Sequence, residues 1–253
     1  MTYSVLLFIA GVFVLAGFVK GVVGLGLPTI SMGLLALVMS PADAASILIL
    51  PTLATNIWQM AVGPSLKPVI ARLWPVMLGV ICGTLAGAGW LVDTHGHYGT
   101  ALLGIALALY ALSGLASIRF TVSAGAEPWL GPIVGVLTGL VAAATGVFAM
   151  PAVIYLQAIG IEKEDLVQAP GLSFTVSSLA LAVNLASVSA LNLSLGSASI
   201  GALAVACVGM WLGQILRLRL RPETFRLIFL LGLLALGLYL IARAVVSVDH
   251  GIG

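Results

Sequence analysis

Apolar residues run almost without interruption along this chain, in stretches far longer than a strand or a core helix requires. They cover about 4–39, 42–62, 69–91, 99–118, 129–160, 165–190, 195–216 and 224–247, with short polar stretches between them. The runs exceed barrel-strand length and lack two-residue alternation, so each reads as a membrane-spanning helical segment. Two are too long. At roughly 1.5 Å per residue, the first would make a straight rod of about 54 Å against a hydrocarbon core of about 30 Å. Both overlong runs carry helix breakers near the middle, "KGVVGLGLP" from Lys20 and "AAATGVFAMP" from Ala142. Each is therefore expected to form two shorter helices joined by an irregular tip, the arms being about 17 and 14 residues.

Composition excludes the soluble alternatives. With 61% hydrophobic and 7% charged residues and a mean hydropathy of +1.23, too few polar side chains exist to cover a water-facing domain. The opening "MTYSVLLFIAGVFVLAG" has no Lys or Arg ahead of its apolar core and continues into further apolar sequence, so it is expected to be retained rather than cleaved. Cys82 and Cys207 sit in apolar, glycine-containing stretches, where small buried thiols packed against a neighbour are expected. The net charge of +2, without a basic run interleaved with aromatics, gives no reason to expect nucleic acid.

The two overlong runs also open an internal repeat. Gly17, Lys20 and Gly21 align with Gly135, Thr138 and Gly139, and Pro28 with Pro151. The following helix reads "DAASILILPTLATN" from Asp43 against "DLVQAPGLSFTVSS" from Asp165, and later Gly83 and Gly87 align with Gly209 and Gly213. The expected fold is thus an all-α polytopic membrane protein, one transmembrane domain over 1–253. It comprises two homologous halves, about 4–119 and 128–247, each a glycine-broken segment plus three transmembrane helices.

Charge orients the halves, because Lys and Arg collect in cytoplasmic loops. If each broken segment crosses once, the basic residues divide four against five. If each enters and returns, Lys67, Arg72, Arg119, Lys163, Arg217, Arg219, Arg221 and Arg226 share one face and Arg243 stands opposite. That eight-to-one bias predicts an inverted repeat with both termini outside, re-entrant tips and ten tilted crossings giving the same sidedness. Trp74, Trp90 and Trp129 lie near segment ends, as interfacial anchors should.

A helix broken inside a bilayer leaves backbone groups that lipid cannot satisfy, so the break must line protein or a cavity. Free N–H groups at Gly24, Gly26 and Leu27, the restart near Pro28, and Lys20 one turn earlier together make an anion receptor. A surface tip would instead let Lys20 snorkel to a headgroup. The four-spaced glycines read first as helix packing faces, and "GLGLPT" lacks the third glycine and the surroundings of a dinucleotide loop. Thr52, Thr55, Asn56 and Gln59 form one polar stripe on the helix after the first break. Ser173, Ser177 and Asn184, with Ser178 beside them, repeat it after the second, either as a substrate path or as interhelical glue. Asp43, three residues after Ser40, and Asp165 read as helix-start carboxylates, which leaves no clear membrane-buried proton carrier. "DTHGHYG" reads as a solvated turn rather than a metal site formed by Asp93, His95 and His97. No cofactor is expected.

"GFVKGVVGLGLPTISMGLLAL" followed by "LPTLATNIWQ", with "TGVFAMPAVIYLQAIGIEKEDLVQAPGLSFTVSSLALA" in the second half, resembles the TauE/SafE family of sulfite exporters, also called toluene sulfonate uptake permeases. The resemblance covers nearly the whole chain and implies a transporter of sulfite, sulfonates or related organic anions in the bacterial inner membrane. Many members carry a fuller glycine run in both breaks, whereas the second break here has alanines and one glycine. The combined expectation is alternating access around tips entering from opposite faces. The anion would lie between Lys20 with the Gly24–Pro28 backbone on one side and Thr138, Thr145 and Gly146 on the other. Gly21, Thr55, Asn56, Gln59, Ser173 and Ser177 complete the expected substrate-binding set. An anion channel is the alternative; a membrane enzyme and a purely structural subunit have the least support, and a homo-oligomer remains open.

Overall fold

A computed structural model describes residues 2–62, 66–93, 97–116, 121–161, 165–217, 219 and 222–249. The regular structure among them is helical: α1 (Tyr3–Val23), α2 (Leu27–Leu35), α3 (Pro41–Val62), α4 (Leu66–Ala86), α5 (Trp90–Asp93), α6 (His97–Leu115), α7 (Glu127–Thr145), α8 (Ala152–Ala158), α9 (Asp165–Ser187), α10 (Gly196–Arg217) and α11 (Pro222–Asp249). Seven of these are long and apolar enough to cross a membrane, and α6 adds a shorter apolar stretch, Gly99–Leu115. Large apolar side chains such as Trp58, Ile105, Ile228 and Leu238 lie exposed, the surface a lipid-facing bundle needs.

Both breaks are where the glycine runs put them, but the arms are less equal than expected. The first segment divides into 21 and 9 residues and the second into 19 and 7. Helix α1 runs through Lys20 and Gly21 and stops only where Gly24 turns left-handed (φ 82°). At about 14 Å, α2 is too short to cross a bilayer, whereas α1 spans about 31 Å.

Small residues bring helix backbones together, which matters in lipid because close packing substitutes for hydrophobic drive. Gly17 and Gly21 of α1 lie against Ala206 and Met210 of α10, and Gly209 lies against Val14 and Phe18. Likewise Gly79 and Gly83 of α4 meet Pro132 and Val136 of α7. Residue numbers rise together across both contacts, so each pair runs parallel. Helices α6 and α11 are antiparallel, with Gly104 on Gly237 and Gly114 on Leu230. So are α3 and α9: Gln168 Nε2 near the start of α9 donates to Met60 O near the end of α3 (2.6 Å), and beyond the other end of α9 the Asn192 N–H donates to Ser46 Oγ in the first turns of α3 (3.1 Å).

The glycine faces fill the inward sides of α4 and α10, and this corrects the expectation for the thiols. Cys82 and Cys207 are exposed on the outer sides of those helices. Inside α3, Pro51 has no N–H to give the Ile47 carbonyl four residues back. Ser199 Oγ of α10 donates to that carbonyl at 2.7 Å and pins the two helix starts together.

Because α3 and α10 begin at the same end, the end carrying Lys67 and Arg72 also carries Arg217, Arg219 and Arg226. Arg226 donates to Gly114 O there, while Arg243 donates to Leu37 O at the opposite end. Arg119, Lys163 and Arg221 lie outside the described residues. On the basic end, Arg72 makes a two-toothed bond to Glu127 (2.6 and 2.9 Å) and donates to Ile159 O, joining α4, α7 and the end of α8. The pair is partly exposed, so Arg72→Ala is expected to cost about 1 kcal/mol. A melting curve of the detergent-solubilised protein checks this, and Arg72→Lys should restore only part of the loss because an ammonium lacks the fork.

Candidate functional site: a buried lysine beside a broken helix

Two left-handed glycines make the first break. Gly24 (φ 82°) closes α1 and Gly26 (φ 107°) opens α2, backbone conformations that side chains other than glycine's rarely accept. The Gly24 N–H donates to Lys20 O at 2.7 Å. It is spent on capping α1, contrary to the expectation that it stays free for a ligand. Pro28 sits in the first turn of α2, Ile30 N–H bonds back to Gly26 O at 2.9 Å, and the N–H groups of Leu27 and Thr29 belong to the open end of that turn.

Lys20 stands one turn before the break and does not snorkel to a surface, being only 4% exposed. The helix sends its Gly17 and Gly21 face to α10, which directs the neighbouring Lys20 towards α3. There its Nζ donates to Thr55 Oγ1 at 3.1 Å and to Asn56 Oδ1. Thr55 can accept because its own hydroxyl proton goes to Pro51 O at 2.7 Å. Gln59, one turn further along, donates through Nε2 to Gly24 O (3.1 Å) and to Val167 O of α9 (2.8 Å), so a single amide ties the break to two helices.

What this stripe leaves unpaired is informative. Lys20 only donates, so it fixes Asn56 with Oδ1 towards the ammonium and Nδ2 turned away. Among the described residues Asn56 Nδ2, Thr52 Oγ1, Gln59 Oε1 and Ser173 Oγ are buried without a hydrogen-bond partner. Ser173 lies on the part of α9 that crosses α3 at this level, where Gly171 packs against Asn56 and Met60. A buried polar group without a partner costs roughly 1–3 kcal/mol, and most of these orphans are donors. The one formal charge beside them is positive: among the described residues no carboxylate lies within ion-pair distance of Lys20.

The second broken segment is built differently. Thr138 and Thr145 donate to Val134 O and Val141 O of their own helix, both at 2.7 Å, and Thr145 Oγ1 also accepts the Val147 N–H. Gly146 (φ 70°) faces Met32 of α2. Thus the two broken segments touch through Met32, but no hydrogen bond links Thr138 or Thr145 to Lys20. Gly21 is taken up by the α10 contact. Gly146 N–H caps onto Ala142 O as Gly24 N–H caps onto Lys20 O. Counted from the break, Lys20 is level with Ala142, whereas counted from the matching glycine contacts, Gly17 on Ala206 and Gly135 on Val76, it is level with Thr138.

On α9, Ser177 and Ser178 bond back to Ser173 O and Phe174 O, and Asn184 Nδ2 donates to Thr84 O. The stripe is buried, as a membrane helix requires. Asp43 is the expected helix-start carboxylate, with Ser40 Oγ accepting its N–H at 3.1 Å and donating to Oδ2 at 2.8 Å. Asp165 begins α9 but its Oδ1 has no partner. Among the described residues no three His, Cys, Asp or Glu side chains converge as metal ligands; His95 and the side chain of His97 lie outside the described set. A family model described as "Sulfite exporter TauE/SafE" matches residues 8–240. No curated protein and no solved structure matches the chain.

Proposed function

Because this chain belongs to the TauE/SafE sulfite exporter family, a family of membrane transporters, we propose that it carries a small anion across the membrane by alternating access around Lys20. Sulfite, a sulfonate or a related organic anion is the substrate class, and the bacterial inner membrane the location. One observation carries the reading: a buried ammonium next to a broken helix, held by neutral acceptors, with donors left over and, among the described residues, no carboxylate within ion-pair distance. A buried charge of that kind is costly until it meets an opposite one.

In this reading Lys20, Thr55 and Asn56 hold the anion, with the Gly26–Pro28 backbone, Gln59, Ser173 and Ser177 around it. Gly24 shapes the tip, and the second segment at Thr145 and Gly146 forms the moving counterpart across Met32. The helix directions support two inverted halves. Exchanging α1 with α7, α3 with α9, α4 with α10 and α6 with α11 turns the α1–α10 pair into α7–α4 and leaves the α3–α9 and α6–α11 pairs in place. Rocking of one half on the other would open the site to each side in turn.

The test is counterflow in proteoliposomes loaded with sulfite or an alkanesulfonate. Saturable uptake of labelled anion, accelerated by the same anion inside, is the expected result. Flux that never saturates and carries current would replace the carrier with a channel, and no flux with any of these anions would overturn the reading.

A further inference from the structure

Among the described residues, one cationic side chain, Lys20, belongs to the site. Every other described Lys or Arg is exposed, including Lys67, Arg72, Arg217, Arg219, Arg226 and Arg243. The places in the second half level with Lys20, Ala142 counted from the break and Thr138 counted from the glycine contacts, are both buried and neutral. The remaining groups that could meet a ligand, Asn56 Nδ2 and the Thr52 and Ser173 hydroxyls, are neutral and fully buried. Asp43 and Asp165, in the first turns of α3 and α9, add no positive charge and form no ion pair with Lys20.

We infer that this site takes oxyanions carrying a single negative charge and rejects dianions of the same size. The inference rests on the anion-carrier reading above and narrows its substrate class. A monoanion beside one ammonium leaves a buried site with no net charge, while a dianion leaves it with a surplus. The cost of a net charge away from water rises with its square, and neutral hydroxyl and amide donors satisfy lone pairs without cancelling that surplus. The donor set suits an oxygen-rich head: the third Lys20 proton, both Asn56 Nδ2 protons and the Thr52 and Ser173 hydroxyl protons are left over on α1, α3 and α9, and a sulfonate offers three acceptor oxygens to match.

Methanesulfonate and sulfate test this directly, since replacing a methyl by an oxygen changes the charge and hardly the size. Binding to the full chain in nanodiscs is measured by thermal shift and calorimetry. Methanesulfonate is expected to bind at least about tenfold more tightly than sulfate, and the preference should vanish in Lys20→Met. Should that variant fail to fold, Asn56→Leu serves instead and is expected to weaken methanesulfonate. Sulfate binding as tightly as methanesulfonate overturns the inference while leaving an anion carrier standing. A methanesulfonate preference that survives intact in folded Lys20→Met, or an unchanged methanesulfonate affinity in Asn56→Leu, overturns it as well, by placing the selective site elsewhere. Failure of the folded protein to bind either anion, with no flux in the counterflow assay, removes the anion-carrier reading and this inference with it.

Discussion

Lys20→Met is expected to abolish anion binding and transport while leaving the folded protein in normal yield. Removing one partner from a buried charge pair typically costs about 2–5 kcal/mol, which corresponds to a loss of at least about 30-fold in affinity. Stability should respond in the opposite sense or hardly at all. Methionine matches lysine's length without a charge to desolvate, so the relief of an uncompensated ammonium offsets the roughly 1–3 kcal/mol lost when Asn56 Oδ1 is left without a donor. The companion substitution Asn56→Asp places a carboxylate where Lys20 now reaches the amide oxygen. An internal anion then occupies the ammonium, so Asn56→Asp should also silence transport, but with melting at or above the wild-type temperature. Titration of each purified variant with sulfite and methanesulfonate, with melting curves alongside, separates the two effects. Full-strength binding by Lys20→Met would remove Lys20 from the site.

Much of this site was legible because the informative residues are expensive ones. A lysine, three glycines and a proline within one apolar run have few reasons to coexist in lipid, and the i, i+3, i+4, i+7 stripe from Thr52 to Gln59 fixes which face of α3 is polar. What was not legible depended on geometry that a repeat obscures. Glycine pairs four residues apart on both α1 and α7 align Lys20 with Thr138, while the left-handed caps at Gly24 and Gly146 place it level with Ala142, a second register that the sequence pattern hides. The Gly24 N–H looked available because the sequence cannot show a helix closing on its own carbonyl. Cys82 and Cys207 looked buried because a glycine-rich stretch announces close packing without naming the packed face. Pro51 signals a carbonyl in need of a donor, yet the donor, Ser199, is 152 residues away.

Gly17→Ala is expected to destabilise the protein severely, whereas Gly11→Ala on the same helix should be neutral or mildly stabilising. The chemical change is identical, so the contrast isolates the helix contact. A Cβ at Gly17 would lie 2.2 Å from the Ala206 carbonyl oxygen, with backbone on both sides and no flexible side chain to move. A Cβ added at Gly11 would meet nothing within 4 Å beyond its own stretch of helix. Overpacking of a close contact costs about 1–3 kcal/mol, while alanine exceeds glycine in helix preference by about 1 kcal/mol, so the two variants should move in opposite directions. Melting temperature and monodispersity in detergent read this out, and equal stability of the two proteins would mean that α1 and α10 do not meet through this face. The same contact governs the site. Gly21, whose added Cβ would lie 2.2 Å from Met210 O, is the residue that turns its neighbour Lys20 towards Thr55 and Asn56. Gly21→Ala must push α1 away from α10, and the ammonium with it. That variant should therefore lose anion affinity as well as stability, whereas Gly83→Ala, which strains the α4–α7 contact through Val136 O at 2.1 Å, should lower stability and leave the affinity of the surviving folded protein near the wild-type value.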